Sequence, residues 1–223
     1  MKNSRKYSTK TRMRLLMAAC KVFTEKGFRD ATIAEICEQA GTNIASVNYH
    51  FGDKGNLYKE SWHYAFRQSL KSYPPDGGVS EDAQPEDRLR GWIKSLIYRI
   101  NDHNSCDFYI VHKELANPTG LLKEIMKKEI DPLNEGMCSI IRELLGPHAT
   151  DRQVQFCQES IMSQCFHLLI ARKNQLNNEA IQGPHGIDDI DAFIEHIVKF
   201  SLAGIRAVHV ETSINNENNG IMH

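Results

Sequence analysis

The run "ATIAEICEQAGTNIASVNYHFGDKGNLY", Ala31 to Tyr58, limits the fold more than any other part of the chain. Thr32 and Glu35 have S/T-x-x-E spacing, in which hydroxyl and carboxylate satisfy the orphan N–H groups of a first helical turn. A helix is therefore expected to start at Thr32 or Ile33 and to stop at Gly41. Asn43 can cap a very short helix ending near His50, and Asp53 a longer one from Lys54 to about Tyr73. Upstream, "TKTRMRLLMAACKVFTEKGF" repeats Leu15, Leu16, Ala19, Val22 and Phe23 at helical spacing, which predicts a helix from Thr9 to Lys26 that stops at Gly27. Short helices joined by a tight turn and held by a longer one form the helix-turn-helix arrangement.

Downstream, "PPDGGVSEDAQP" is rich in Pro and Gly and nearly free of apolar residues, so a mobile connection is expected there. Glu86 to His103 then carries Leu89, Ile93, Leu96, Ile97 and Ile100 on one stripe. A short helix from Cys106 to Leu115 follows, and "NPTG" separates it from a run from Thr119 to Leu145. Pro132 interrupts that run, which predicts a kink near Ile130. Two long apolar helices, Thr150 to Lys173 and Asp188 to Val210, are expected to flank "LNNEAIQGPHGI". No strand pattern competes, so the class is all-α: an N-terminal three-helix helix-turn-helix domain plus a larger helical domain. The expected division is residues 1–53 for the helix-turn-helix, 54–73 for a connecting helix and 74–85 for a loop. Residues 86–210 would form the large domain and 211–223 a disordered polar tail.

The net charge of -1 conceals an asymmetry. Residues 1–60 hold 11 Lys and Arg against 6 Asp and Glu, while the remainder is acidic. A basic head on an acidic body suits a polyanion at one end. No apolar run reaches the roughly 18 residues of a membrane span, so a cytoplasmic protein without a membrane partner is expected. The six cysteines lack CxxC spacing, which gives no metal or cofactor site and suggests reduced thiols in cores.

In a helix-turn-helix the second helix of the pair enters the major groove. Val47 and Phe51, four apart, point to the core and leave Ala45, Ser46, Asn48, Tyr49 and His50 on other faces. Ser46 and Asn48 are short groups suited to base edges, and Ala45 offers a methyl to thymine. Tyr49 and His50 suit phosphates. Lys54 and Thr32 each stand at a helix start, where free backbone N–H groups favour a phosphate. Lys2, Arg5, Lys6, Lys10, Arg12 and Arg14 form a basic leader able to follow the DNA backbone.

This stretch resembles the TetR-type transcriptional regulators: a Thr-rich helix start, an Ala-Gly turn, a short helix ending in an aromatic-His-Phe run, and a Lys two residues beyond a Gly. The resemblance implies DNA contacts at Ser46, Asn48, Tyr49, His50 and Lys54; Asn48 stands where the family commonly has Tyr. It also implies a larger helical domain that binds an effector and dimerises through its last two long helices. "NIASVNYHFG", "HKELANPTG" and "EIDPLNEGM" further resemble the CecR-like branch, which implies a regulator of efflux or drug-sensitivity genes.

Trp62, Phe66, Trp92, Phe108, Tyr109, His112, Met126, Phe156, Gln164 and His167 are candidates to line an effector cavity, because ligand pockets are apolar with a few placed polar groups. The last helices are apolar on more than one face (Phe156, Ile161, Phe166; Phe193, Ile197, Phe200), which asks for a core on one side and a second subunit on the other. The expected function is a homodimeric, ligand-responsive repressor of a palindromic double-stranded DNA operator. Metal or thiol sensing is the alternative: His103 and His112 bracket Cys106, Cys165 stands two from His167 on a nearly opposite side of a helix, and Cys157 and Cys165, eight apart, share a face whose first reading is core packing. An enzyme is disfavoured, since no GxSxG, HExxH or Gly-rich phosphate loop is present.

Overall fold

A computed structural model describes residues 2–102, 104–176, 187 and 189–220, with side chains over 8–102, 104–169, 187 and 189–209. The described residues are helical, in the order α1 (Lys2–Asp30), α2 (Ile33–Ala40), α3 (Ile44–Phe51), α4 (Lys54–Ser72), α5 (Pro85–Asn101), α6 (Cys106–Ala116), α7 (Lys123–Leu145), α8 (Asp151–Leu176) and α9 (Ile190–Gly220). The class is all-α, as the periodicity predicts. Among the described residues no helix is long and apolar enough to cross a membrane.

The local stops and starts follow the sequence closely. Gly27 leaves helical geometry at φ 75°, where the sequence predicts a stop, but it only kinks α1, which resumes as far as Asp30. The Thr32 hydroxyl accepts from Glu35 N–H at 3.2 Å, and the Glu35 carboxylate accepts from Thr32 N–H at 3.1 Å, so the capping box is closed at both ends. Gly41 ends α2 in the left-handed region, φ 60°, and its N–H donates to the last carbonyls of α2. Asn43 accepts from Ser46 N–H at 3.1 Å and Asp53 from Asn56 N–H at 2.7 Å, the two caps expected for α3 and α4.

Two compact units result: Met1–Ser72 with Asp102–Glu129, and Tyr73–Asn101 with Ile130–His223. The packing thus differs from a division at successive chain boundaries, because α6 joins α1 and α4 in the first unit. A buried carboxylate accounts for this. Glu114 of α6 accepts from the Tyr58 hydroxyl of α4 at 3.1 Å and from Thr119 N–H, the Thr119 hydroxyl and Gly120 N–H at 2.9, 2.8 and 3.0 Å. Four donors around one buried acid tie the "NPTG" turn to α4, and α7 accordingly starts at Lys123 rather than Thr119. Burial, with the Glu114 carboxylate beside it, raises the Tyr58 phenol far above its ordinary value. Phe23 and Phe28 of α1 complete the cluster, with ring centroids 4.8 and 5.1 Å from that of Tyr58.

In the second unit α5 packs on α8 and α9. Leu89, Ile93, Leu96, Ile97 and Ile100 are buried, as their spacing predicts. The loop before α5 is not the loose connection its composition suggests. A Cβ on Gly91 would stand 2.4 Å from the Asp76 carbonyl, and one on Gly77 would stand 2.4 Å from the Gly91 carbonyl. Paired glycines let the loop lie directly on the α5 backbone, and Gly77 takes a left-handed φ of 63° that any other residue resists. The chain stays helical through Pro132, and α9 stays helical to Gly220, past the Val210 limit expected from its polar tail. Most of "LNNEAIQGPHGI" and residues 221–223 lie outside the described residues.

Candidate nucleic-acid interface

The first unit builds one polar face around α3. Val47 is fully buried and Phe51 is 5% exposed, so the inner edge of α3 is fixed and the opposite edge faces outward. Ala45 and Asn48 are exposed, and Tyr49 is 79% exposed despite its size. Its ring therefore stands available beside Ala45 and Asn48 on a helix whose other edge is anchored in the core. Ile44, 52% exposed in the first turn of α3, belongs to the same face. Sequence reasoning missed it, because an isoleucine at a helix start looks like a core residue.

The remaining candidates are more constrained. The Ser46 hydroxyl donates to Asn43 Oδ1 at 3.1 Å and accepts from the Thr42 hydroxyl at 2.8 Å. It is therefore part of the cap of α3 before it is a base-reading group. His50 packs edge-on to Tyr49 with centroids 4.9 Å apart, and partial burial followed by the nearby Arg12 charge lowers its pKa. Thr32 is exposed at the start of α2. Lys54 donates from Nζ to the Arg29 carbonyl at 3.3 Å and lies over the Phe28 ring at 4.6 Å. Burial lowers its pKa, with Asp30 opposing. Lys54 thus joins the start of α4 to the end of α1 and keeps N–H donors for an anion.

The basic head is less bare than its charge count suggests. Arg12 pairs with Glu60 and lies over the Phe51 ring at 5.1 Å, Lys26 pairs with Glu35, and Arg29 donates to the Pro118 carbonyl at 3.1 Å. The leader from Lys2 enters as the first turns of α1 rather than as an extended arm.

The ten effector candidates do not gather at one place. Trp62, Phe66, Phe108, Tyr109, His112 and Met126 belong to the first unit; Trp92, Phe156, Gln164 and His167 belong to the second. Trp62 and Phe66 stack at 5.0 Å in the core, and the buried Trp62 indole N–H has no acceptor among the described residues. Phe108, Tyr109, His112 and Met126 are half-buried, and His167 is exposed. Trp92 lines a cavity of about 570 Å3 between the glycine loop, α5 and the Pro132–Ile140 part of α7. Phe156 and Gln164 instead line a groove of about 380 Å3 between α8 and α9, where Phe156 is 57% and Phe200 61% exposed. Among the described residues no three His, Cys, Asp or Glu side chains assemble as metal ligands. Cys165 is fully buried and burial pushes its thiol up to about 12; burial also raises Cys157.

Comparison with known proteins matches both halves of this picture. The family model for the tetR family of bacterial regulatory proteins matches residues 15–60. The model for the C-terminal domain of the HTH-type transcriptional dual regulator CecR matches residues 85–205, more than half of the chain. The HTH-type transcriptional dual regulator CecR of Shigella flexneri is 28% identical over 73% of this chain and 77% of its own length. The probable HTH-type transcriptional regulator YttP of Bacillus subtilis is 27% identical over 52% of this chain, which spans only 56% of that relative. In three dimensions a TetR-like transcriptional regulator from Rhodococcus sp. RHA1 superimposes with a TM-score of 0.66 at 13% identity, covering 88% of this chain and 96% of that one. These relatives are regulators and not enzymes, and the chain belongs to the TetR family of DNA-binding transcriptional regulators, in its CecR-like branch.

Proposed function

We propose that the protein is a homodimeric, ligand-responsive repressor that binds a palindromic operator. The observation that carries the reading is the outward edge of α3, where Ala45, Asn48 and Tyr49 stand exposed on a helix anchored by buried Val47 and Phe51. Asn48 and Ala45 read base edges, while Tyr49, His50, Lys54 and Thr32 hold phosphates that set the register. Residues 1–53 act as the reading head, 54–73 as the link, and 86–210 as the region for effector and dimerisation. The groove between α8 and α9 supports a two-fold partner, because exposed Phe156 and Phe200 flank it and a second copy would cover them. The cavity beneath Trp92 supports a small-molecule effector, its volume lying in the range of about 300 to 1,000 Å3 usual for such sites. The effector releases DNA only to the extent that it binds the non-operator conformation more tightly.

Selection of bound sequences from a random duplex pool, at stated salt, tests the reading. A palindromic consensus is the expected result. A pool that shows no enrichment, or a single unrepeated half-site, overturns the dimeric operator.

A further inference from the structure

Sequence spacing leaves Cys20 and Cys106 unconnected, 86 positions apart, yet α1 and α6 place both on the wall of one cavity, where each thiol influences the other. Cys20 is 4% exposed and Cys106 is half-buried. Both open on a cavity of about 270 Å3 in the first unit, lined also by Met17, Lys21, Tyr64 and Ser105. The two sulfurs are not equivalent. Cys20 donates to the Ser61 carbonyl at 3.2 Å, and the neighbouring Cys106 sulfur together with burial keeps it a thiol. Cys106 is held below the ordinary thiol value, first by the neighbouring Cys20 thiol and against the effect of burial. The Lys21 ammonium adds to that lowering, and Asp107 opposes it. Asp107 accepts from the Ser105 hydroxyl at 2.8 Å, which draws part of its charge away from the sulfur. Asp102 and Tyr64 complete the titratable groups on the cavity wall.

We propose that Cys106 and Cys20 form a hydroperoxide-reactive dithiol, with Cys106 as the attacking thiol and Cys20 as the resolving one. The Cys106 thiolate attacks the O–O bond of a hydroperoxide; an S–O bond forms, the O–O bond breaks, and the departing oxygen takes a proton as water or alcohol. Sulfur is oxidised by two electrons to the sulfenic acid and the peroxide is reduced. The Cys20 sulfur then attacks the Cys106 sulfur, the S–S bond forms, and the hydroxyl leaves as water with the Cys20 proton. Two thiols and one hydroperoxide thus give one disulfide, one water and one further water or alcohol. The cavity is the route in, and its thiolate, ammonium and hydroxyl groups suit a small polar oxidant. Cys37, Cys138, Cys157 and Cys165 lack these features, since burial raises the pKa of each.

The test is independent of any DNA-binding readout. The full chain is exposed to hydrogen peroxide near neutral pH, blocked with iodoacetamide, digested and mapped by mass spectrometry. The expected product is a peptide pair joined through Cys20 and Cys106 with the loss of two hydrogens, while the other four cysteines are recovered as blocked thiols. In Cys20→Ser, Cys106 is expected to persist as a sulfenic acid that dimedone traps. Recovery of Cys106 as a free thiol from the wild-type chain, or as sulfinic acid with Cys20 still free, overturns the proposal. The wild-type map alone decides, so the result does not depend on how Cys20→Ser folds.

Discussion

The outward face of α3 and the groove between α8 and α9 both leave aromatic side chains in water, but they do so differently. On α3 exposed Tyr49 stands with Ile44, Ala45 and Asn48, while Val47 and Phe51 of the same helix are sealed in the core. In the α8 and α9 groove two phenylalanines stand beside Cys157, Ile161, Ile205 and Val208, so the exposed surface is continuous with an apolar lining. A polar, aromatic, sparsely apolar face suits a hydrated polyanion, whereas an apolar one suits a partner that excludes water. The contrast separates the two proposed partners, DNA and a second copy of the chain.

The largest effect should come from breaking the apolar face. Phe156→Glu combined with Phe200→Glu places like charges across a symmetric contact and is expected to convert a dimer to a monomer in sedimentation velocity. Loss of one of two half-sites should then weaken operator binding by about 1,000-fold or more. A doubly substituted chain that still sediments as a dimer would remove this groove from the interface.

Next in size is a pair of neighbours on α3. Val47→Ala, at a fully buried position, should cost about 2 kcal/mol of stability in urea unfolding. Tyr49→Ala should leave stability within about 0.5 kcal/mol, because so little of the ring is packed, and should still weaken DNA binding. If Tyr49→Ala unfolds the protein as easily as Val47→Ala, the ring is structural and the face loses its main support.

Lys54 and Asn48 divide positioning from reading. Lys54→Ala is expected to weaken binding by about tenfold on every sequence and to lower the salt slope by about one. Asn48→Ala should instead change the preferred base at one position of each half-site. Lys54 also bonds the Arg29 carbonyl, so its loss should bring a small drop in stability that Asn48→Ala lacks. An unchanged salt slope for Lys54→Ala would leave that residue as the α1 to α4 tie alone.

How much of this was legible in the sequence depended on the range of the interaction. Thr32, Glu35, Asn43 and Asp53 act within one helical turn, and each cap sits where its spacing places it. The glycine loop packs more closely than its composition suggests, because its seat comes from Gly91, which looks like an ordinary weak helix position until the Asp76 carbonyl lies against it. The same limit hides Glu114, an acid that four donors bury, and the Cys20 and Cys106 pair, brought to one cavity only by the packing of α6 on α1. Long-range pairings of this kind leave no local period. For the candidate interface, sequence fixed which side of α3 is buried but not that Ser46 spends its hydroxyl on the Asn43 cap.

The smallest effect concerns His50 and sharpens the polar face by pH. Burial and the Arg12 charge lower its pKa from the ordinary 6.5, so the free protein holds a neutral ring at pH 7. A lowered folded value means that the unfolded chain binds the proton more readily, and the stability held above about 6.5 declines as the pH falls toward the folded value. A phosphate beside the ring acts in the opposite direction, since it favours the imidazolium. If His50 meets a phosphate, operator binding should take up a proton and strengthen severalfold as the pH is lowered from 7.5 through the region below 6.5, with the unfolding midpoint moving slightly downward over the same range. His50→Gln should bind with a flatter pH profile while retaining one donor. Matching profiles for the two proteins would assign His50 to packing against Tyr49 and leave phosphate positioning to Lys54, Tyr49 and Thr32.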